Sequence, residues 1–340
     1  MPVTDPEAVL RGERLAVTRA LTQIENNTLA GFELLEALFP HTGQSHLIGV
    51  TGAPGTGKST LVNQLAYHYR HPEDGSDPPR IAVIAVDPTS PFSGGALLGD
   101  RVRMQDLVGD PGIFVRSMAS RGSLGGLAAA TGSLVQVFDA AGYEIIIIET
   151  VGAGQAEVDI ASLAHSTIVV EAPGLGDEIQ TIKAGILEIA DILVVNKSDR
   201  PGAEHTLRAL RNMLSMAHPR PEDAGHHGAE MIESQPPAED RGTDWIPPVL
   251  PATSLSGDGI PELIEELANH TKYLLSSGEW QRREENRLTN ELEVLLRDTL
   301  RMHWESKISL NTYQHTLNEV INRKITPWKA VEILVEGAGL

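Results

Sequence analysis

The chain has no cysteine, no long apolar run and a shortage of positive charge. Without thiols, disulfides, thiolate zinc sites and iron–sulfur ligation are excluded, and a reducing compartment suits the chain. No stretch approaches the ~18 apolar residues that would cross a bilayer. Residues 1–30 carry Asp5, Glu7, Arg11, Glu13 and Arg14 and hold no apolar core, so neither a secretory leader nor an acidic-poor transit peptide is expected, and a cytoplasmic location is. With 27 basic against 46 acidic residues, the formal net charge is -19. Such a surface repels DNA, RNA and anionic membranes while leaving room for a local basic cleft around a nucleotide. Neither nucleic acid nor membrane is expected as a partner.

A length of 340 residues predicts one core domain of roughly 200 residues with appended elements. Residues 8–39 read as helical, with Leu10, Leu15, Val17, Leu21 and Ile24 near one face, then Phe32, Leu34, Leu35 and Leu38, closed by Pro40. Apolar β-rich runs follow at Leu47–Val50, Ile81–Val86, Ile145–Ile148, Thr167–Val170, Ile192–Val195 and Val249–Leu250, alternating with helical patterns. Near-continuous apolar strands spaced by helices predict an α/β fold, a mostly parallel sheet covered on both faces. The expected divisions are an N-terminal helical segment 1–42, a nucleotide-binding domain 43–272 and a C-terminal helical arm 273–340. Residues 218–244 break the rhythm with Glu222, Asp223, Glu230, Glu233, Glu239, Asp240 and Asp244 among prolines and glycines, and read as an exposed insertion. His226 and His227 lie within it, but two adjacent histidines without further ligands do not make a metal site. In the arm, Leu288, Leu292, Leu295, Leu296 and Leu300 share a helical face, and Thr326-Pro327 fits the start of a last helix. That apolar face needs a cover, from the same subunit or from a second copy.

Gly52-Ala53-Pro54-Gly55-Thr56-Gly57-Lys58-Ser59 matches G-x-x-x-x-G-K-[ST], between a strand and a helix that begins Ser59, Thr60. Glycines let successive backbone N–H groups converge on an anion at a helix N-terminus, so the loop is suited to nucleoside triphosphate. Lys58 would reach the β- and γ-phosphates and the Ser59 hydroxyl would ligate Mg²⁺. The base is addressed by Asn196-Lys197-Ser198-Asp199, directly after a strand. A carboxylate at Asp199 accepts both guanine donors, N1–H and the exocyclic amine, whereas adenine presents a lone pair there. Asn196 would brace the loop and the Lys197 stem would cover the ring. Ser254 and Leu255, in Ala252-Thr253-Ser254-Leu255-Ser256-Gly257, resemble the last guanine-contacting loop, with leucine where GTPases commonly place alanine. GTP or GDP with Mg²⁺ is therefore expected. Mg²⁺ needs carboxylates near Ser59, for which Asp87 and Glu149 at strand ends, and Asp100, are the candidates. Glu149-Thr150-Val151-Gly152 stands where Ras-like proteins carry D-x-x-G, with Gly152 free to turn its N–H to the γ-phosphate.

On these loops, on the run from Val86-Asp87-Pro88-Thr89 to Arg101-Val102-Arg103-Met104, and on Gly176-Asp177-Glu178-Ile179-Gln180-Thr181-Ile182-Lys183, the chain resembles the MeaB/ArgK family of P-loop GTPases. The human methylmalonic aciduria type A protein is a relative. The resemblance covers nearly the whole chain. It implies a GTPase that chaperones an adenosylcobalamin-dependent acyl-CoA mutase, most often methylmalonyl-CoA mutase, gating cofactor loading and protecting or reactivating the client. It further implies that Ser59, Asp87, Asp100 and Glu149 surround Mg²⁺, that Asp177, Gln180 and Lys183 form a switch coupled to the client, and that the C-terminal helices make a homodimer. No glutamine stands where Ras positions its water, so slow intrinsic hydrolysis is expected, with Asp87, Lys183 or a client group organising the water. Two other readings are a kinase tied to lysine/arginine/ornithine transport, which needs a phosphoacceptor site, and a metal-enzyme maturation GTPase, which the lack of cysteine opposes.

Overall fold

The computed structural model describes residues 4–88, 107, 109–120, 126–150, 160–174, 188–217 and 245–339. Seven parallel strands form one sheet: β1 (His46–Thr51), β2 (Ile81–Pro88), β3 (Ile113–Ser120), β4 (Ile145–Thr150), β5 (Ser166–Glu171), β6 (Ile192–Val195) and β7 (Val249–Pro251), ordered β3-β2-β4-β1-β5-β6-β7. The described residues also form ten α-helices: α1 (Pro6–Leu10), α2 (Arg14–Glu25), α3 (Leu29–Leu38), α4 (Lys58–Arg70), α5 (Gly126–Ala140), α6 (Ala203–Ala217), α7 (Ile260–Ser277), α8 (Glu279–Lys307), α9 (Leu310–Ile321) and α10 (Pro327–Ala338).

The run of isoleucines in β4 shows why these strands are apolar throughout. Side chains alternate across a sheet, so Ile146 and Ile148 pack under α1–α3 and α5, while Ile145 and Ile147 pack under α4 and α7. Helix α6 covers Val169, Leu193, Val195 and Val249 toward the far edge. The helical stretch read over 8–39 is three helices, because Gly12 and Asn27 adopt positive φ of 70° and 49° between them. Thr28 caps α3 by accepting the Gly31 amide at 3.1 Å. Arginines fasten this segment to the sheet: Arg14 donates to Ile113 O at 2.8 Å, and Arg116 pairs with Glu25 through both carboxylate oxygens. Arg80 donates to Ala141 O at 2.8 Å and lies over the Tyr143 ring.

At the amino-terminal edge of the sheet, polar side chains form a buried network. His46 Nε2 and His270 Nδ1 each lie 2.8 Å from Ser166 Oγ, and His270 Nε2 lies 3.3 Å from Asp191 Oδ1. Arg283 donates to both Asp191 oxygens at 2.7 Å. His165 Nδ1 accepts the Leu47 amide at 3.1 Å, so the neutral ring carries its proton on Nε2, which faces Glu284 Oε2 at 3.3 Å. Trp280 stacks on His165 with centroids 3.9 Å apart. Burial, then the neighbouring His165 and His270, lowers His46 to about 3. Burial also lowers His165, against the opposing pull of Glu284. Burial opposes ionisation of Asp191, but hydrogen bonds from His270 and Arg283 hold it at about 2. Glu284, likewise penalised by burial, is held at about 2 by His165 and Arg287. The first two turns of α8 are thereby tied to strands β1, β5 and β6.

The chain divides into two compact units, Met1–Arg287 and Leu288–Leu340. In the second, Thr326 caps α10 by accepting the Lys329 amide at 3.2 Å, and Trp304 Nε1 donates to Leu334 O at 3.0 Å. Leu292, Leu295, Leu296 and Leu300 on α8 are exposed.

Candidate nucleotide-binding site

Strand β1 delivers the chain into Gly52 at the carboxyl edge of the sheet, and the loop closes on α4, whose first residue is Lys58. Only glycine suits two of its positions. Gly52 has φ 138°, and a Cβ there would stand 2.1 Å from Val170 O. Gly57 has φ 94°, and its Cβ would stand 2.5 Å from Asn196 Nδ2. Lys58 is buried and donates from Nζ to Gly52 O at 2.8 Å and Ala53 O at 2.9 Å. One residue on, the buried Ser59 hydroxyl donates to Glu149 Oε1 at 2.6 Å, joining α4 to the end of β4.

Asn196, 1% exposed, ties three loops together. Its Nδ2 donates to Thr56 O at 2.8 Å, inside the glycine-rich loop. Its Oδ1 accepts the Lys197 amide at 2.8 Å, the Ser254 amide at 3.0 Å and the Ser254 hydroxyl at 2.8 Å. Lys197, at a φ of 58°, turns its Nζ onto Gly55 O at 2.6 Å. Ser198 donates its amide to Ala252 O at 3.0 Å, and its hydroxyl lies 2.9 Å from Thr253 Oγ1. Asp199 and Leu255 are exposed at the rim of this knot, Leu255 at 84%. The glycine-rich loop at the start of α4, the Asn196–Asp199 loop and the Ser254 loop are thus held in one hydrogen-bonded framework.

The family model described as "Methylmalonyl Co-A mutase-associated GTPase MeaB" matches residues 17–309. The chain belongs to the MeaB family of GTPases. It is 40% identical over 330 residues to a GTPase-named protein of Pyrococcus horikoshii, covering 97% of this chain and 96% of that one. To the GTPase ArgK of Escherichia coli it is 32% identical over 331 residues, covering 96% and 93%. A solved structure titled LAO/AO transport system kinase superimposes with a TM-score of 0.70 at 26% identity, covering 98% of this chain and 96% of that one.

In this MeaB-family GTPase, Lys58, Ser59, Glu149, Asn196, Lys197 and Ser254 meet in the framework just described. Thr60 follows in α4. Asp87 lies on β2 opposite Ala119 of β3, one strand from Glu149, and its side chain is outside the described residues. Asp100, Gly152, Asp177, Gln180, Lys183 and the stretch 218–244 also lie outside them. Four hydroxyl-bearing residues went unread in the sequence: Ser198 with Thr253, and Thr150 beside Thr51. Isolated hydroxyl residues give no spacing signal before a sheet brings them together.

Proposed function

We propose that this protein hydrolyses GTP as a chaperone for an adenosylcobalamin-dependent acyl-CoA mutase, methylmalonyl-CoA mutase above all, gating cofactor loading and protecting or reactivating the client. The Ser59–Glu149 hydrogen bond carries this reading, because it links the helix that would hold the nucleotide's metal to the segment Glu149-Thr150-Val151-Gly152. A change at the γ-phosphate would pass from that strand end to whatever the following residues touch.

Within the reading, Lys58 would contact the β- and γ-phosphates, and backbone amides from Gly52 to Thr60 would cradle them. Gly152 would meet the γ-phosphate. A hydroxyl and a carboxylate 2.6 Å apart are oxygen donors of the kind Mg²⁺ takes, so Ser59 and Glu149, with Asp87 and Asp100, would hold it. Bound there, Mg²⁺ would neutralise charge on the phosphate oxygens. Asp87, Lys183 or a client group would organise the water, and Asp177, Gln180 and Lys183 would transmit nucleotide state. Asp199 would accept the two guanine donors, beneath Lys197, with the Ser254-Leu255 backbone at the base oxygen. The exposed leucines of α8 support a homodimer through the C-terminal helices, and the composition supports a cytoplasmic setting.

The test is hydrolysis of GTP by the purified protein with and without an adenosylcobalamin-dependent methylmalonyl-CoA mutase. Stimulated phosphate release, with GTP-dependent retention of the mutase on the immobilised protein, is expected. Failure of any such mutase to bind in either nucleotide state overturns the chaperone reading. Transfer of labelled γ-phosphate to an amino-acid-binding transport protein would instead favour the kinase reading.

A further inference from the structure

Glu149 faces α4, and the side chains on either side of it in β4 face the other way. The β1–β4 ladder runs from His46 opposite Ile145 to Val50 opposite Glu149. Beyond that last pair the neighbours change: Thr51 remains matched to Val169 of β5, and Thr150 to Val86 of β2. Where the backbone pairing of β1 with β4 ends, a side-chain bond continues it. Thr150 Oγ1 donates to Thr51 Oγ1 at 3.2 Å, and both residues are fully buried. Thr51 immediately precedes Gly52 of the phosphate loop, and Thr150 immediately precedes Val151-Gly152. Valine would fill the same volume at both places without burying a hydroxyl, so packing alone does not call for threonine.

We propose that Thr51 and Thr150 are positioning residues for GTP hydrolysis: their hydroxyl pair holds the end of β4 in register with the end of β1 and so sets the Glu149 carboxylate against Ser59. The inference rests on the reading of Glu149 as a hydrolysis residue. Displacements of about 1 Å at a reacting centre cost up to ~100-fold in rate, so a partial shift of the strand end costs on the order of tenfold. Nucleotide affinity depends mainly on the backbone amides of the phosphate loop, which Thr51 precedes, and on the Asn196 framework, neither of which takes part in the Thr51–Thr150 hydroxyl bond.

Single-turnover GTP hydrolysis, GDP affinity and thermal midpoint are measured for Thr150→Val, Thr51→Val, the double valine variant, Thr150→Ser and Glu149→Gln. Each single valine variant is expected to lose roughly tenfold in rate, with GDP affinity within about twofold and a lowered midpoint, because the partner hydroxyl is left buried without a bond. The double variant should lose no more than either single one, because the hydroxyls act as a pair. Thr150→Ser, which keeps the hydroxyl, should recover most of the rate. Wild-type hydrolysis by Thr150→Val overturns the clasp, as does a Thr150→Ser rate as low as that of valine. If Glu149→Gln is slow while Thr150→Val is not, the clasp alone is wrong. If Glu149→Gln hydrolyses at the wild-type rate, the role of Glu149 and the clasp fall together.

Discussion

Asn196 Oδ1 accepts from both the backbone amide and the hydroxyl of Ser254, 58 positions further along the chain. With Nδ2 on Thr56 O, one buried amide group braces the Lys197 and Ser254 loops and the glycine-rich loop. Truncation would strand buried donors on two loops and a carbonyl on the third. Each unsatisfied group costs about 1–3 kcal/mol. Asn196→Ala should therefore lose roughly 2–4 kcal/mol of stability by urea unfolding, and its GDP affinity should fall by more than tenfold in a fluorescence titration. Asn196→Asp, which keeps the acceptor and loses the donor to Thr56, should fall between the two.

Asp199 is proposed to select guanine through two donors on the base. Xanthine replaces the exocyclic amine with a carbonyl, so an amide in place of the carboxylate would match it. Asp199→Asn should weaken GTP binding by about 100-fold or more and strengthen xanthosine triphosphate binding by a similar factor, since leaving polar groups mispaired is what makes such sites selective. Competition between the two nucleotides reads this directly. Retained GTP preference would remove Asp199 from base recognition.

Lys58 sits at the head of α4 with its ammonium between two carbonyls of the phosphate loop. Lys58→Ala should abolish measurable GTP turnover, with a fall in phosphate-release rate of at least ~1000-fold on the scale of lost phosphate electrostatics. A mutase's response to nucleotide should vanish with it. Circular dichroism should remain native, since the surrounding strands keep their apolar packing.

The buried network at the other edge of the sheet predicts how the fold responds to acid. His46 is lowered to about 3 in the fold and returns to its ordinary value near 6.5 when unfolded. The unfolded chain therefore takes up the proton first, so this contribution to stability is complete above pH 6.5 and is lost as pH falls toward 3. From His46 alone the loss by pH 5 is about 2 kcal/mol. His165, also lowered, adds in the same direction. Asp191 and Glu284, both held at about 2, withdraw their share at lower pH, between about 4 and 2. Urea midpoints at pH 7.5, 6 and 5 test the sequence of events. His46→Gln keeps a hydrogen-bonding group for Ser166 and should flatten the slope between pH 6.5 and 5.

The central strands and the glycine-rich loop were legible because their signals are local. A burst of isoleucine or valine marks a strand buried on both faces, and fixed spacing of glycine, lysine and serine marks a phosphate loop. Strand β3 was not read: Ile113-Phe114-Val115-Arg116-Ser117-Met118 lies at the sheet edge, where Arg116 reaches out to Glu25 and interrupts the apolar run. The network of His46, His165, Asp191, His270, Arg283 and Glu284 was illegible for a different reason. Its members are spread over 46–284, each alone in its stretch of sequence, and only the common edge of three parallel strands assembles them. The carboxylate next to Ser59 was a candidate on strand-end placement, whereas the Thr51–Thr150 bond needed the register of two strands to become visible.

Strand β1 has His46 at one end and Thr51 at the other, a span of about 17 Å at the usual rise per residue. The groups predicted to sense mild acid are therefore remote from the bond to be cleaved. Acidification should act as a thermostat on the scaffold before it acts as a throttle on the chemistry. Turnover per folded molecule should hold steady across pH values at which the folded fraction is already shrinking, and a rate profile normalised to folded protein would report the phosphate edge alone.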